Sequence, residues 1–210
     1  MIHKKKYFQM TTATDNGLLV IEGPVETELL KDYSFHEDLV AFRSPQKQHE
    51  AIIDISTLPE ARIIIARLNE MIVGYVTFLY PDPLERWSQT TLENLIELGA
   101  IEVIPAFRGY SVGKNMLRIA MMDSAMEDYI IITTEYYWHW DLKGTGLNVW
   151  EYRKMMEKMM NAGGLEQMAT DDPEICSHPA NCLMVRFGAN ISQEDIQLFD
   201  ALRFHQRFMY

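Results

Sequence analysis

The sequence predicts an α+β fold, a mixed sheet with helices. Three observations predict it. "RIIIARLNEMIVGYVTFLY" sets two β-branched runs on either side of the polar pair Asn69–Glu70, the pattern of a hairpin. "IEVIPAFRGYSVGKNMLRIAMM" passes from a β-like run through a proline and a glycine-containing loop into a segment whose apolar residues Val112, Leu117, Ala120, Met121 and Ala125 recur at roughly helical spacing. From Ile63 onward the order is hairpin, strand, helix, strand, helix, strand, strand, which builds such a sheet, with its central strand–helix–strand as the place for a ligand.

Each element has its own signal. "GLLVIEGPV" reads as a strand ended by Gly23 and Pro24, and "VETELLKDY" as a short helix. "PQKQHEAIIDISTLP" has Pro45 at a helix start and Pro59 beyond its end. "PDPLERWSQTTLENLI" is an irregular or helical connection to the strand "ELGAIEVIP". A helix is expected over Val112 to Met126, then a buried strand, "YIIITTEYYWHW". "NVWEYRKMMEKMMNAGG" opens a helix at Asn148, a good N-cap, and closes it at Gly163–Gly164. "LEQMAT" and "CLMVRFG" are closing strands, and a terminal helix over about 192–208 has Ser192 as its N-cap.

The chain of 210 residues is long enough to bury a substantial core, and no repeat, low-complexity tract or linker divides it, so a single domain over 1–210 is expected. The opening "MIHKKKYFQM" lacks the apolar run of a signal peptide and no stretch approaches a bilayer span, which points to the cytoplasm and away from a membrane. A formal net charge of −11 repels a phosphate backbone and argues against nucleic acid as partner; a basic partner surface or a lysine substrate suits it better. The two cysteines, Cys176 and Cys182, read as reduced thiols.

The loop "RGYSVGKN" invites comparison with three phosphate-holding patterns. Against a P-loop, Gly109 and Gly113 are one residue too close and Asn115 replaces the magnesium-binding hydroxyl. A dinucleotide fingerprint fails on glycine spacing. R-x-x-G-x-G matches Arg108 to Gly113, except that Ser111 replaces the middle glycine. In such a loop small residues let successive backbone N–H groups point outward at a helix start, where the macrodipole also favours negative charge. It is a pyrophosphate cradle, with Arg108 and Lys114 as cationic contacts at its rim.

With that loop in place, "LGAIEVIPAFRGYSVGKNML" resembles the acetyl-CoA loop of the GNAT-type N-acetyltransferases, and the likeness extends over roughly Ile63 to Gly188. "YPDPLERW", "TTEYYWHWDLKGTGLNVWEYRKMMEKMMNAGG" and "TDDPEICSHPANCLMVRFG" resemble more narrowly the bacterial acetoin-utilisation acetyltransferases, nearly end to end. The resemblance implies a mostly antiparallel sheet flanked by helices, a GNAT-like core over about 17–188, and acetyl-CoA bound at splayed central strands through Arg108, Gly109, Tyr110, Ser111, Val112, Gly113 and Lys114. It also implies a protein-lysine acetyltransferase that acetylates and switches off AMP-forming acetyl-CoA synthetase, with no metal.

Direct attack by a lysine is opposed by its own protonation: near neutral pH roughly one amine in a thousand is free, a cost of roughly 4 kcal/mol. A base is required, and Glu97 and Glu102 on the fourth strand are the candidates; five apart, they face opposite sides of a regular strand. Counting back from Arg108, Glu97 falls where GNAT-type enzymes carry their base, and Glu102 is the second choice, reached if a bulge near Pro105 reverses the faces. Backbone N–H groups around Ile101 and Val103 would bind the thioester carbonyl and pantetheine arm. The superfamily often protonates the departing thiolate from a tyrosine on the following helix; here that helix has only Tyr152, nearer its start than is usual, and Met155 or Met159 stands in the usual place, so water is the alternative acid. Asn148 either caps its helix alone or also contacts the cofactor.

"EYYWHWD" crowds four aromatic rings and His139 together, either as a docking patch for a protein or as a buried strand end. Cys176, His178 and Cys182 lack a fourth metal ligand, and the methionines at 155, 156, 159 and 160 form a helical stripe for packing or contact. Two other functions remain open beside the lysine acetyltransferase: acetylation of a small amine, and a non-catalytic acyl-CoA-sensing regulator that grips the synthetase.

Overall fold

Paired β-strands begin at Phe8, near the start of the described chain. The computed structural model describes residues 2–205, and these fall into two units, Ile2–Leu79 with Leu98–Met126, and Tyr80–Glu97 with the chain from Glu127 onward.

In the first unit β1 (Phe8–Thr14) and β2 (Gly17–Gly23) form an antiparallel hairpin, Phe8 opposite Gly23 and Thr14 opposite Gly17. The sequence reading had no strand at β1, because its alternation of Thr and Gln with half-buried Phe8, Met10 and Thr12 carries no apolar run. Helix α1 (Thr27–Asp32), the two-residue β3 (Ser34–Phe35) and α2 (Pro45–Ser56) follow; Pro45 does open its helix. The expected hairpin is β4 (Arg62–Leu68) and β5 (Met71–Leu79), turned through Asn69 at φ 52°. Antiparallel pairing runs β1, β2, β4, β5, and β3 joins β5 in parallel.

Strand β6 (Leu95–Val103) lends its residues from Leu98 to this unit, beside β5. Gly74 on β5 is what lets the two backbones meet: a Cβ there would lie 3.0 Å from the Glu102 carbonyl oxygen. Helix α3 (Val112–Met121) then lays Met116, Leu117, Ile119 and Ala120 on β1, β2, β4 and β5. It stops five residues short of the Met126 expected from spacing. Asp123 breaks it: the buried carboxylate accepts the Ala125 N–H and reaches back to the Lys6 N–H, starting a separate 3₁₀ turn over Ser124–Asp128.

In the second unit the first three residues of β6 pair in parallel with β7 (Ile130–Glu135), Glu97 opposite Ile132. Then come α4 (Leu142–Thr145), α5 (Val149–Met160), β8 (Glu166–Met168), α6 (Pro173–Cys176), β9 (Cys182–Phe187) and α7 (Gln193–Arg203). β9 lies antiparallel to both β7 and β8, so the sheet is mixed and mostly antiparallel. Its core joins Trp87, Leu95, Ile130, Ile132, Leu183 and Phe199 among others. The strand expected through Trp140 ends at Glu135, because the Tyr137 N–H turns to the Asn181 side chain and a 3₁₀ turn takes Tyr137–His139. Ser192 caps α7 through the Asp195 N–H; the expected helical residues 206–208 lie outside the described chain. No helix among the described residues is long and apolar enough to cross a membrane.

Candidate functional site

The loop expected to cradle a pyrophosphate, Arg108 to Lys114, belongs to the first unit. Arg108 and Gly109 are exposed, and Gly109 sits at φ 95° with open space where a side chain would be. Ser111, the residue standing for the middle glycine, adopts the left-handed conformation itself, φ 58° and ψ 24°. So the backbone path of the glycine pattern is kept, at a cost of about 1–2 kcal/mol for an L-residue. Ser111 precedes α3 without capping it: its side chain makes no cap hydrogen bond, although its carbonyl accepts the Asn115 N–H. No acidic residue lies in the first turn, and half-buried Lys114 does. An uncapped helix start with a lysine in its first turn suits an anion. Tyr110 is tied across to the β1–β2 turn, where its phenol donates to the Asp15 carboxylate. We expect Ser111→Gly to raise stability by about 1 kcal/mol in urea unfolding, by relieving the left-handed strain, and Ser111→Val to lower it.

Ile101 and Val103, the two positions expected to offer backbone donors, are half-buried on β6. Glu102 between them is held on both oxygens: Oε1 accepts the Ala41 N–H at 2.8 Å and Oε2 accepts the Tyr75 phenol at 2.9 Å. Tyr75 is fully buried, so its hydroxyl needs that acceptor, and burial beside the Glu102 charge pushes its own ionisation well up. Glu102 therefore has a structural task that the sequence did not reveal.

Glu97 is in the second unit, half-buried, with a different environment. Burial pushes its carboxyl up to about 8; the charges of Glu85 and Asp82 push the same way, while a hydrogen bond from the Thr134 hydroxyl pulls back. A carboxyl poised there is about one-tenth ionised at pH 7 and half ionised near pH 8, within the range a general base can use.

On α5, Asn148 spends its side-chain oxygen on the cap. Oδ1 accepts from the Trp150 and Glu151 N–H groups at 3.0 and 3.1 Å, and Glu151 returns a carboxylate oxygen to the Asn148 N–H at 2.9 Å. Tyr152, one turn in, is half-buried and stacks on Trp140 with ring centres 5.2 Å apart. Met155 is exposed and Met159 half-buried.

Sequence reading also passed over the function of Glu135. This side chain is fully buried, accepts the Trp140 indole N–H at 3.2 Å, and is pushed by burial up to about 7. Opposite it on β9, burial first and the Glu135 charge second push the Cys182 thiol up to about 12. Glu135 anchors the aromatic segment after β7. Tyr136 stacks on Trp138 at 4.8 Å, Tyr137 packs on His178 at 4.1 Å, and the Trp150 ring lies 6.5 Å from that of His178. Trp138 and Trp150 remain 46% and 52% exposed, so the segment is neither wholly core nor wholly surface. Cys176 and Cys182 are both free thiols, and among the described residues no three His, Cys, Asp or Glu side chains gather where they could hold a metal ion.

Residues 28–139 match the model of the "Acetyltransferase (GNAT) family". The chain is 68% identical to the acetoin utilization protein AcuA of Bacillus licheniformis and 64% identical to that of Bacillus subtilis, over the full length of each. A crystal structure of the acetoin utilization protein from Exiguobacterium sibiricum superimposes on it with a TM-score of 0.98, at 56% identity and covering both chains completely.

Proposed function

The chain belongs to the GNAT acetyltransferase family, whose members take the acetyl group from acetyl-CoA, and on that premise we propose that it is a cytoplasmic protein-lysine acetyltransferase acting in acetoin utilisation. Its substrate is AMP-forming acetyl-CoA synthetase, which it inactivates. Full-length likeness to relatives named for acetoin utilization supports the physiological setting. The catalytic part is carried by one observation, the Glu97 carboxyl held up to about 8 on the strand that leads to the cradle.

Each residue has a part. The amides from Gly109 through Gly113 and the start of α3 cradle the pyrophosphate, Arg108 and Lys114 supply positive charge, and Tyr110 is held by Asp15 at the loop's edge. Acetyl-CoA supplies the activated acetyl group. The N–H groups around Ile101 and Val103 receive the thioester carbonyl and the negative charge that develops on its oxygen. Glu97 takes the proton from the lysine ammonium, and the free amine attacks the carbonyl carbon. The carbon–sulfur bond breaks, and Tyr152 or water protonates the departing thiolate. Asn148 sets the direction of the helix that carries Tyr152 through its cap. No step uses a metal.

The exposed aromatic segment favours a protein over a small amine as acceptor, since Tyr and Trp are strong interface anchors. Trp138→Ala is expected to raise the KM for the protein acceptor about tenfold, the effect of an interface residue contributing above 1 kcal/mol, and to leave acetylation of a free small amine unchanged. The test of the whole reading is intact-mass spectrometry of purified synthetase incubated with this protein and acetyl-CoA. A gain of one acetyl group together with loss of synthetase activity supports it. An unchanged mass with activity intact moves the acceptor to a small amine, and an unchanged mass with activity lost leaves a regulator that acts by binding.

A further inference from the structure

Resting on the reading of Arg108 to Lys114 as the loop that holds the acetyl-CoA pyrophosphate, we propose that Asp15 is a positioning residue for that loop, acting through Tyr110. Asp15 itself needs no contact with the cofactor. Its carboxylate holds the Tyr110 phenol, and the phenol holds the backbone on which the anion settles.

The loop backbone has little of its own to hold it. Gly109 stands at φ 95° and Ser111 at φ 58°, so Tyr110 is flanked on both sides by left-handed backbone. The N–H groups of Gly109, Tyr110 and Ser111 find no acceptor among the described residues. That leaves them open to an anion, and it also leaves the path of the backbone without a hydrogen bond of its own. A left-handed serine carries a cost that relaxation would relieve. The Tyr110 side chain supplies the tie. Its phenol donates to Asp15 Oδ2 at 2.5 Å, and its oxygen lies 3.4 Å from the Asp15 backbone nitrogen, a weaker second contact. A phenol giving to a carboxylate makes a charge-assisted bond, stronger than one between neutral groups. The Tyr110 ring centre also lies 6.5 Å from that of Phe107, which is buried in the turn Pro105–Phe107 just before the loop.

The other end of the tie is firm. Asp15 and Asn16 form the two-residue turn between β1 and β2, closed by the pairing of Thr14 with Gly17 and by the Thr14 hydroxyl on the Gly17 carbonyl at 2.7 Å. Helix α3 packs on both of those strands. The hairpin therefore keeps its place relative to the helix that the loop opens, and Tyr110 closes a circuit from hairpin to loop to α3. That circuit selects the loop shape before a ligand arrives, and a ligand that needs this shape binds more tightly in proportion to the fraction of molecules already holding it. Charge alone would argue against a carboxylate here. Asp15 is exposed and sets a negative charge against a loop meant for a polyanion, in a chain of net charge −11. Electrostatics by itself has the loss of this carboxylate tighten binding; the brace requires the opposite sign.

The experiment measures dissociation constants for CoA by calorimetry and for pantetheine, which lacks the pyrophosphate, by NMR titration. The proteins are wild type, Asp15→Ala, Asp15→Asn, Tyr110→Phe and the double variant Asp15→Ala/Tyr110→Phe. Asp15→Ala and Tyr110→Phe should each weaken CoA about fivefold, the net worth of one hydrogen bond, while pantetheine binds as before. The double variant should be no weaker than either single one, because both remove the same bond. Asparagine keeps an acceptor oxygen and drops the charge, so Asp15→Asn should bind CoA at least as tightly as wild type. CoA affinity unchanged or raised in Asp15→Ala overturns the proposal, and so does an equal loss for CoA and pantetheine, which would mark a general disturbance of the fold. Lys114→Ala tests the reading beneath it. If that variant keeps the whole wild-type preference for CoA over pantetheine, the loop does not hold the pyrophosphate, and the brace falls with it. If it loses the preference while Asp15→Ala keeps it, the reading stands and only the brace falls.

Discussion

Glu97→Gln should cut kcat/KM for the amine acceptor by about 10²–10⁴-fold, the usual contribution of a positioned general base, while making the protein harder to unfold at alkaline pH. The two effects share one cause. Folding raises this carboxyl from an ordinary 4.5 to about 8, chiefly by burial. Its contribution to stability is therefore fully present below about pH 4.5 and is lost progressively as pH rises towards about 8, beyond which the folded state carries the whole cost of a desolvated charge. Glutamine carries no such charge. Scanning calorimetry at pH 5 and pH 9 should show the variant's advantage mainly at pH 9. If Glu97 is the base, as proposed, wild-type activity should climb over the same range, with its acid limb near 8. Glu135 adds a parallel loss of stability up to about pH 7, so wild type and variant must be compared at each pH. Activity that survives in Glu97→Gln and dies in Glu102→Gln would transfer the base to Glu102.

Arg62→Met should cost about 3–5 kcal/mol, the largest loss expected from any single change in the first unit. The guanidinium is completely buried at the start of β4, donating to the carbonyls of Glu60 at 3.0 Å and Lys4 at 2.7 Å. Its Nε lies 3.9 Å from the buried Asp123 carboxylate, just past α3. One side chain thereby fastens the N-terminal segment, a central strand and the far end of the helix that begins at the cradle. Methionine fills the volume and strands the Asp123 charge. Adding Asp123→Asn should recover part of the loss, and urea unfolding of the two single variants and the double variant measures the coupling. Purely additive losses would mean that the pair does not interact.

Much of the frame was legible because periodicity and caps are local signals. The β4–β5 hairpin, the start of α3 at Val112, the Asn148 cap and the Ser192 cap all stand where the sequence put them, although α3 ends five residues early. β1 escaped notice although Asn16–Gly17, a recognised turn pair, sits at its end; an alternating polar strand at the edge of a sheet buries too little to leave an apolar run. Side-chain partnerships were less visible still. Tyr75 with Glu102 and Thr134 with Glu97 join residues 27 and 37 positions apart in sequence, and only a strand register puts them together. The loop's match to the R-x-x-G-x-G pattern was readable, yet its departure from that pattern, Ser111, was not interpretable until its left-handed backbone was seen.

The two helices that matter most to this chemistry begin under opposite electrical conditions. At the start of α5 the donors at Trp150 and Glu151 are claimed by Asn148, and the Glu151 carboxylate closes the box, so that end already has its negative charge from within the chain. At the start of α3 a left-handed serine that caps nothing is followed by valine, glycine and lysine. One helix start is capped from within the chain, and the other has no side-chain cap, as the proposed anion site would require. On the proposed function, an acidic protein of net charge −11 would receive a polyanionic guest less by attracting it broadly than at one local place where its charge is wanted.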